Sequence, residues 1–115
     1  APLMPKEEEK SAEEVVSGGI IDVGEFTTNI SDVAGNRYLR MEVSIEISDK
    51  KQEEKAKEFM PVIRDSVLSI IAAKTVADLD RRNWYNLKEE IKNDLNAKLG
   101  KNYVKNVYFN NFIMQ

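Results

Sequence analysis

The chain contains neither cysteine nor histidine. The first absence excludes disulfides. Together they exclude zinc sites built from the usual ligands and remove the commonest general base. Lack of cysteine assigns no redox compartment, because such a chain suits an oxidising space and the cytosol alike. Basic residues number 17 against 20 acidic, a net charge of -3, which disfavours a nucleic-acid surface. No run of about 18 apolar residues occurs, so these residues hold no helical membrane span. No signal-peptide pattern opens them either. Only three prolines and five glycines punctuate the 115 residues, a length that fits one domain.

What is present is one stretch of strict alternation. Leu39, Met41, Val43, Ile45 and Ile47 are apolar, and Tyr38, Arg40, Glu42, Ser44 and Glu46 fall between them. A strand turns successive side chains to opposite faces, so this pattern predicts a half-buried strand with one greasy face. The 42% hydrophobic content supplies enough side chains for one core.

Charge is uneven along the chain. Residues 1–58 hold 8 basic and 14 acidic groups, and residues 59–115 hold 9 and 6. Ala1 to Ser17, with Pro2, Pro5 and a run of glutamates, reads as a linker or as a solvated end. Ile20 to Ile30 reads as a strand. Ile21 and Val23 share one parity and Phe26, Thr28 and Ile30 the other, so a bulge is expected near Gly24. Ser31 to Asn36 has turn chemistry, which predicts an antiparallel hairpin.

Asp49 with Gln52 forms a capping-box signature for a helix whose stripe is Ala56, Phe59, Met60, Ile63, Val67, Ile70 and Ile71. Pro61 within it predicts a kink or two abutting helices. Val62, Val67, Leu68, Ile70 and Ile71 predict that its second half is buried nearly all round. Thr75 with Asp78 signals a short turn carrying Leu79 inward, and Asp80 or Asn83 caps a last helix. That helix has the stripe Trp84, Leu87, Ile91, Leu95 and Leu99, with Gly100 as a left-handed stop. Asn102 to Gln115 reads as a strand with apolar residues of both parities, hence an inner or heavily covered one. The whole is α+β in the order β-β-α-α-α-β, a small antiparallel or mixed sheet of about three strands with helices on one face.

No catalytic constellation emerges. Asp78 with Asp80 and Glu89 with Glu90 read as caps and solvated faces. Ser66 and Ser69 have no histidine. Gly18-Gly19 lacks the remaining glycines of a phosphate loop, and Asp22, Glu25 and Asp32 miss the calcium-loop spacing. Arg81, Arg82, Trp84 and Tyr85 form the one unusual cluster. Such residues grip protein partners or stack on single-stranded nucleic acid; the plain alternative is a helix start with Trp84 in the core.

Four segments in chain order resemble the extracytoplasmic domain of the FliL family, the flagellar basal-body-associated proteins. The first is Phe26-Thr27-Thr28-Asn29-Ile30 followed by Arg37-Tyr38-Leu39-Arg40-Met41-Glu42. The second is Pro61 through Ile71, with Asp65 inside it. The third is Lys74-Thr75 through Asp78-Leu79. The fourth is Val107 to Gln115, with Phe109 and Phe112. Arg82-Asn83 departs from the glycine often found before the family's third helix.

The resemblance implies a fold similar to the stomatin/prohibitin (SPFH) type. It also implies a single-pass inner-membrane protein with a periplasmic domain, so that residues 1–17 would link residues 18–115 to a membrane helix upstream of Ala1. The implied role is non-enzymatic and cofactor-free: a ring around the flagellar stator that aids torque and motility. Its partners would be stator and basal-body proteins and further copies of itself, not nucleic acid. The rival expectation is an adaptor that binds a soluble partner and has nothing to do with the motor.

Overall fold

The computed structural model describes residues 18–115, so the expected linker over 1–17 lies outside the described residues. Two strands open the fold, β1 (Ile20–Ile30) and β2 (Arg37–Ile47). A 3-10 turn at Lys50–Gln52 leads into α1 (Glu53–Glu58) and α2 (Met60–Ala72). A second such turn, Arg81–Asn83, leads into α3 (Trp84–Leu99), and β3 (Val104–Met114) follows. The sheet order is β1-β2-β3 with both pairs antiparallel. This is the expected α+β order, with the alternating stretch in the middle of the sheet.

β2 keeps an unbroken alternation. Leu39, Met41, Val43, Ile45 and Ile47 are all wholly buried beneath the helices. Its neighbours do not alternate cleanly, and each is bulged to compensate. In β1 the pairing slips between Asp22 and Gly24, and Gly24 has φ +105°. One extra residue reverses parity, so Ile21, Val23, Phe26 and Ile30 all reach the same core.

In β3 the pairing slips twice, opposite Arg40/Glu42 and opposite Glu46/Ile47. Asn111, with φ +49°, sits in the first of these slips. Val104 and Val107 are therefore buried, and Phe109, Phe112 and Met114 pack against the same core. The mixed parities of β3 come from these slips. It is an edge strand, neither inner nor covered on both faces: Ile113 on its far side is 41% exposed.

The helices form one layer. α2 packs mainly on β1, α3 mainly on β3, and the two touch each other. Ala56, Ile63, Val67 and Ile71 face the sheet from α1 and α2, and Leu87, Ile91, Leu95 and Leu99 from α3. Pro61 separates two abutting helices at Phe59 and occupies the first turn of α2, where its missing N–H costs nothing. α2, the second half of the expected helical stretch, is not buried all round: Val62 and Leu68 are 42% and 40% exposed. A single helical layer leaves the solvent side of α2 without a neighbour.

Asp49 caps the first turn by accepting from the Lys51 N–H (2.9 Å). Gln52 joins through its backbone, donating to the Asp49 carbonyl and accepting the Tyr103 hydroxyl at 2.8 Å. Gly100 ends α3 at φ 136°, ψ 145°, an extended glycine conformation and not the left-handed one expected. The left-handed residue is Asn102, with φ +62°. Beside it Asn96 imitates a missing strand: its side chain accepts the Val104 N–H and donates to the Val104 carbonyl.

Candidate interaction surfaces

The cluster at the start of α3 is split by the fold. Asp80 caps the Arg81–Asn83 turn by accepting from the Arg82 N–H, and its Oδ1 also takes the Arg82 guanidinium at 2.9 Å. Asn83 donates to the Ala77 carbonyl, tying this turn to the preceding one. Trp84 faces inward. Its indole N–H donates to the Leu79 carbonyl at 3.0 Å, and its ring lies 5.7 Å from Phe109 and 4.8 Å from Phe112. Tyr85 points outward, 73% exposed, with Arg81 and Arg82 also at the surface. The turn therefore presents two guanidinium groups and a phenol, while Trp84 serves as its anchor.

This turn is stiffened by the Thr75–Asp78 capping box. The Asp78 carboxylate accepts the Thr75 N–H (3.0 Å), and the Thr75 hydroxyl accepts the Asp78 N–H (3.1 Å). Leu79 is buried as a result, 2% exposed. The Asp78 carboxyl is held below its ordinary 3.8, chiefly by the Thr75 backbone N–H and then by the Thr75 side chain. Asp80 is lowered from the same 3.8, by the Arg82 backbone N–H and then its side chain. A carboxyl depressed on folding contributes stability above its unfolded value and loses it as pH falls through the folded one. Asp78→Asn with Asp80→Asn should therefore flatten the acid limb of stability below about pH 4. Acid titration by circular dichroism would show an unchanged limb if the caps carried nothing.

The residues carrying the FliL resemblance are mostly architectural. Phe26 and Leu39 are buried in the sheet, and Pro61 starts α2. Arg37 donates from Nε to the Gln115 carbonyl at 3.0 Å and lies 3.9 Å from Asp32. Gln115 also pairs with Tyr38 through both backbone bonds, and Asn29 is the partner of Tyr38 across β1. Asn29, Tyr38, Asp65 and Gln115 are exposed. Arg37, Tyr38 and Gln115 meet at one end of the sheet, but the set as a whole does not converge on one site.

Two features carried no usable sequence signal. The first is Arg64, which reaches from α2 over the β1 bulge. It donates to the Val23 carbonyl (2.6 Å) and the Glu25 carbonyl (2.9 Å), with its guanidinium 4.3 Å from the Phe26 ring centre. The second is Glu46, on the face opposite the helices, where the described residues form no second layer. Glu46 is nevertheless wholly buried. Its Oε1 accepts from the Asn106 amide and the Tyr108 hydroxyl, each at 2.8 Å. Its Oε2 has no partner among the described residues. Burial, and next the Glu46 carboxylate, push the Tyr108 phenol up from its ordinary 10.0.

Glu46→Gln keeps an acceptor for both donors and should leave stability unchanged or raised. Glu46→Ala orphans both donors and should cost about 1–3 kcal/mol. Denaturant unfolding of the two variants separates these outcomes.

No cluster of three or more metal-ligating side chains exists among the described residues. No described helix is long and apolar enough to cross a membrane. The family model for "Flagellar basal body-associated protein FliL" matches residues 20–115, the described fold from the first residue of β1 to Gln115. A flagellar protein FliL of Aquifex aeolicus is 30% identical over 91 residues, covering 78% of this chain and 56% of that protein. The chain thus spans a little over half the length of this relative. With the match running through every strand and helix, the chain belongs to the FliL family of flagellar basal-body-associated proteins.

Proposed function

We propose that residues 18–115 are the periplasmic domain of a single-pass inner-membrane protein of the flagellar basal body, tethered through residues 1–17. In this reading the domain adopts the stomatin/prohibitin-type arrangement and assembles side by side into a ring. The ring surrounds and supports the stator, aiding torque and motility, and the domain performs no catalysis. The observation that carries this reading is the family match over the whole described fold.

The physics is compatible. Membrane tethering raises effective concentration, so each contact between copies can be weak and smaller than a stable soluble dimer requires. Arg81, Arg82 and Tyr85 are the proposed gripping surface, with Trp84 as their internal anchor. Arg82→Ala with Tyr85→Ala should leave stability within about 0.5 kcal/mol, as exposed positions generally do. In the full-length protein the same pair should reduce swimming. Unchanged motility would remove this turn from the interface. Full motility after deletion of any upstream membrane helix would favour a soluble adaptor and overturn the anchored reading.

A further inference from the structure

β3 leaves one edge of the sheet open. Tyr38 and Gln115 exchange both backbone bonds, and the Ser48 N–H donates to Tyr103, whereas the Ile47 N–H donates to Gly19 on the other side. Even-numbered residues of β2 therefore turn their backbone groups to β3, and odd-numbered ones to β1. Val107, Phe109 and Met114 stand opposite the odd residues Ile45, Val43 and Leu39. Their own N–H and carbonyl groups consequently point away from the sheet. At Val104, the first residue of the strand, the Asn96 side chain fills both positions. Among the described residues no hydrogen bond fills them at Val107, Phe109 or Met114.

The two edges of the sheet differ. β1 is closed at its bulge by Arg64, which occupies the Val23 and Glu25 carbonyls. The β3 edge is flanked by lysines. Lys88 of α3 stands 5.2 Å from the centre of the Phe109 ring. Lys92, one turn further on, lines with Lys105 a cleft of about 320 Å³ at the start of the strand. Lys92 is 3.3 Å from Glu89. Lys88 and Lys105 have no ion-pair partner among the described residues. Residues four apart on a helix, as Lys88 and Lys92 are, rise by about 6 Å. Alternate residues of a strand lie about 6.6 Å apart, so a chain laid on this edge sets two successive same-face side chains against the two lysines.

We propose that the β3 edge takes a fourth strand from another protein, an extended segment with a carboxylate at every second residue. Main-chain bonds to Val107 and Phe109 supply the pairing. The carboxylates face the helix layer and meet Lys88, Lys92 and Lys105. Beyond Asn110 the slip at Asn111, with φ +49°, interrupts the ladder, so the pairing centres on Val107 and Phe109. A second copy of this chain fits this edge less well. β3 against β3 brings two lysine rows together, and like charges across a strand pair destabilise it. β3 against β1 meets the Arg64 latch. The ion pairs lie near the surface, so rising salt weakens them. The proposal does not rest on the anchored reading.

The probe is a capped octapeptide of alternating glutamate and valine, titrated into the whole chain while amide hydrogen exchange is followed by NMR. Exchange at Val107 and Phe109 should slow severalfold. Asn106, Tyr108 and Asn110, whose N–H groups already face β2, should change less. Peptide affinity should fall severalfold at high salt, in Lys88→Gln with Lys92→Gln, and for a peptide with lysine in place of glutamate. No slowing at Val107 and Phe109 would overturn the proposal, as would equal slowing by the lysine peptide or in the lysine variant. Protection of both amides without peptide, rising with protein concentration, would give the edge to a second copy and overturn it too. None of these readouts involves motility or an anchor, so failure here is distinct from failure of the anchored reading.

Discussion

Ile45→Ala lowers the unfolding free energy by about 2–5 kcal/mol, the range for truncating a large aliphatic side chain in a core. Ile45 lies wholly buried in β2, the middle strand of the sheet, between Ile21 on one flank and Val107 on the other. Both neighbours are held in the ladder, and α2 and α3 cover the sheet from above, so collapse into the void is restricted. The lost methyl groups forfeit their transfer energy and their contacts together. A domain of this size has only about 5–15 kcal/mol in total, so the midpoint of denaturant unfolding should fall steeply. Ile20→Ala, in the adjoining strand but 49% exposed, is the control and should change little. Equal effects at both positions would mean that the β2 face is not the centre of stability.

Arg64→Ala should cost about 1.5–3 kcal/mol, the scale of hydrogen bonds to a charged group. It should also produce a second effect, association. The Arg64 guanidinium closes the β1 edge at its bulge by occupying the Val23 and Glu25 carbonyls. With those carbonyls unpaired, an edge strand of 11 residues offers a template to another chain. Arg64→Lys should restore the latch only in part, because a single ammonium nitrogen replaces the two guanidinium nitrogens that meet the two carbonyls separately. Gly24→Ala attacks the same latch from the other side. Its Cβ would lie 2.7 Å from Arg64 Nη1, at a φ of +105° that side chains rarely adopt. Unfolding curves and light scattering on the three variants test the latch. Wild-type stability and an unchanged particle size for Arg64→Ala would refute it.

The legible part of the fold was local. The alternation of Tyr38 to Ile47 marked the central strand because period-2 burial leaves its pattern in one uninterrupted run. The parity change at Gly24 marked the β1 bulge for the same reason. The Thr75–Asp78 box and the Pro61 break were readable because caps and prolines act within a few residues. The closing strand misled, since slips opposite Glu42 and Ile47 altered its parity twice and made an edge look like an interior. The all-round burial expected for α2 failed because composition cannot tell whether a second layer exists to cover it.

The sequence alone determined the element order, most of the core stripe of each helix and the family, since these rest on residue identity and short spacing; Phe59, expected in the first stripe, is 39% exposed at the junction of α1 and α2. Only the tertiary structure decided that β2 lies between β1 and β3, that Arg64 latches the β1 edge, and that Glu46 is buried on the far face. Each of these depends on groups tens of residues apart meeting in space, and no local pattern encodes which partner a strand edge, a guanidinium or a carboxylate will find.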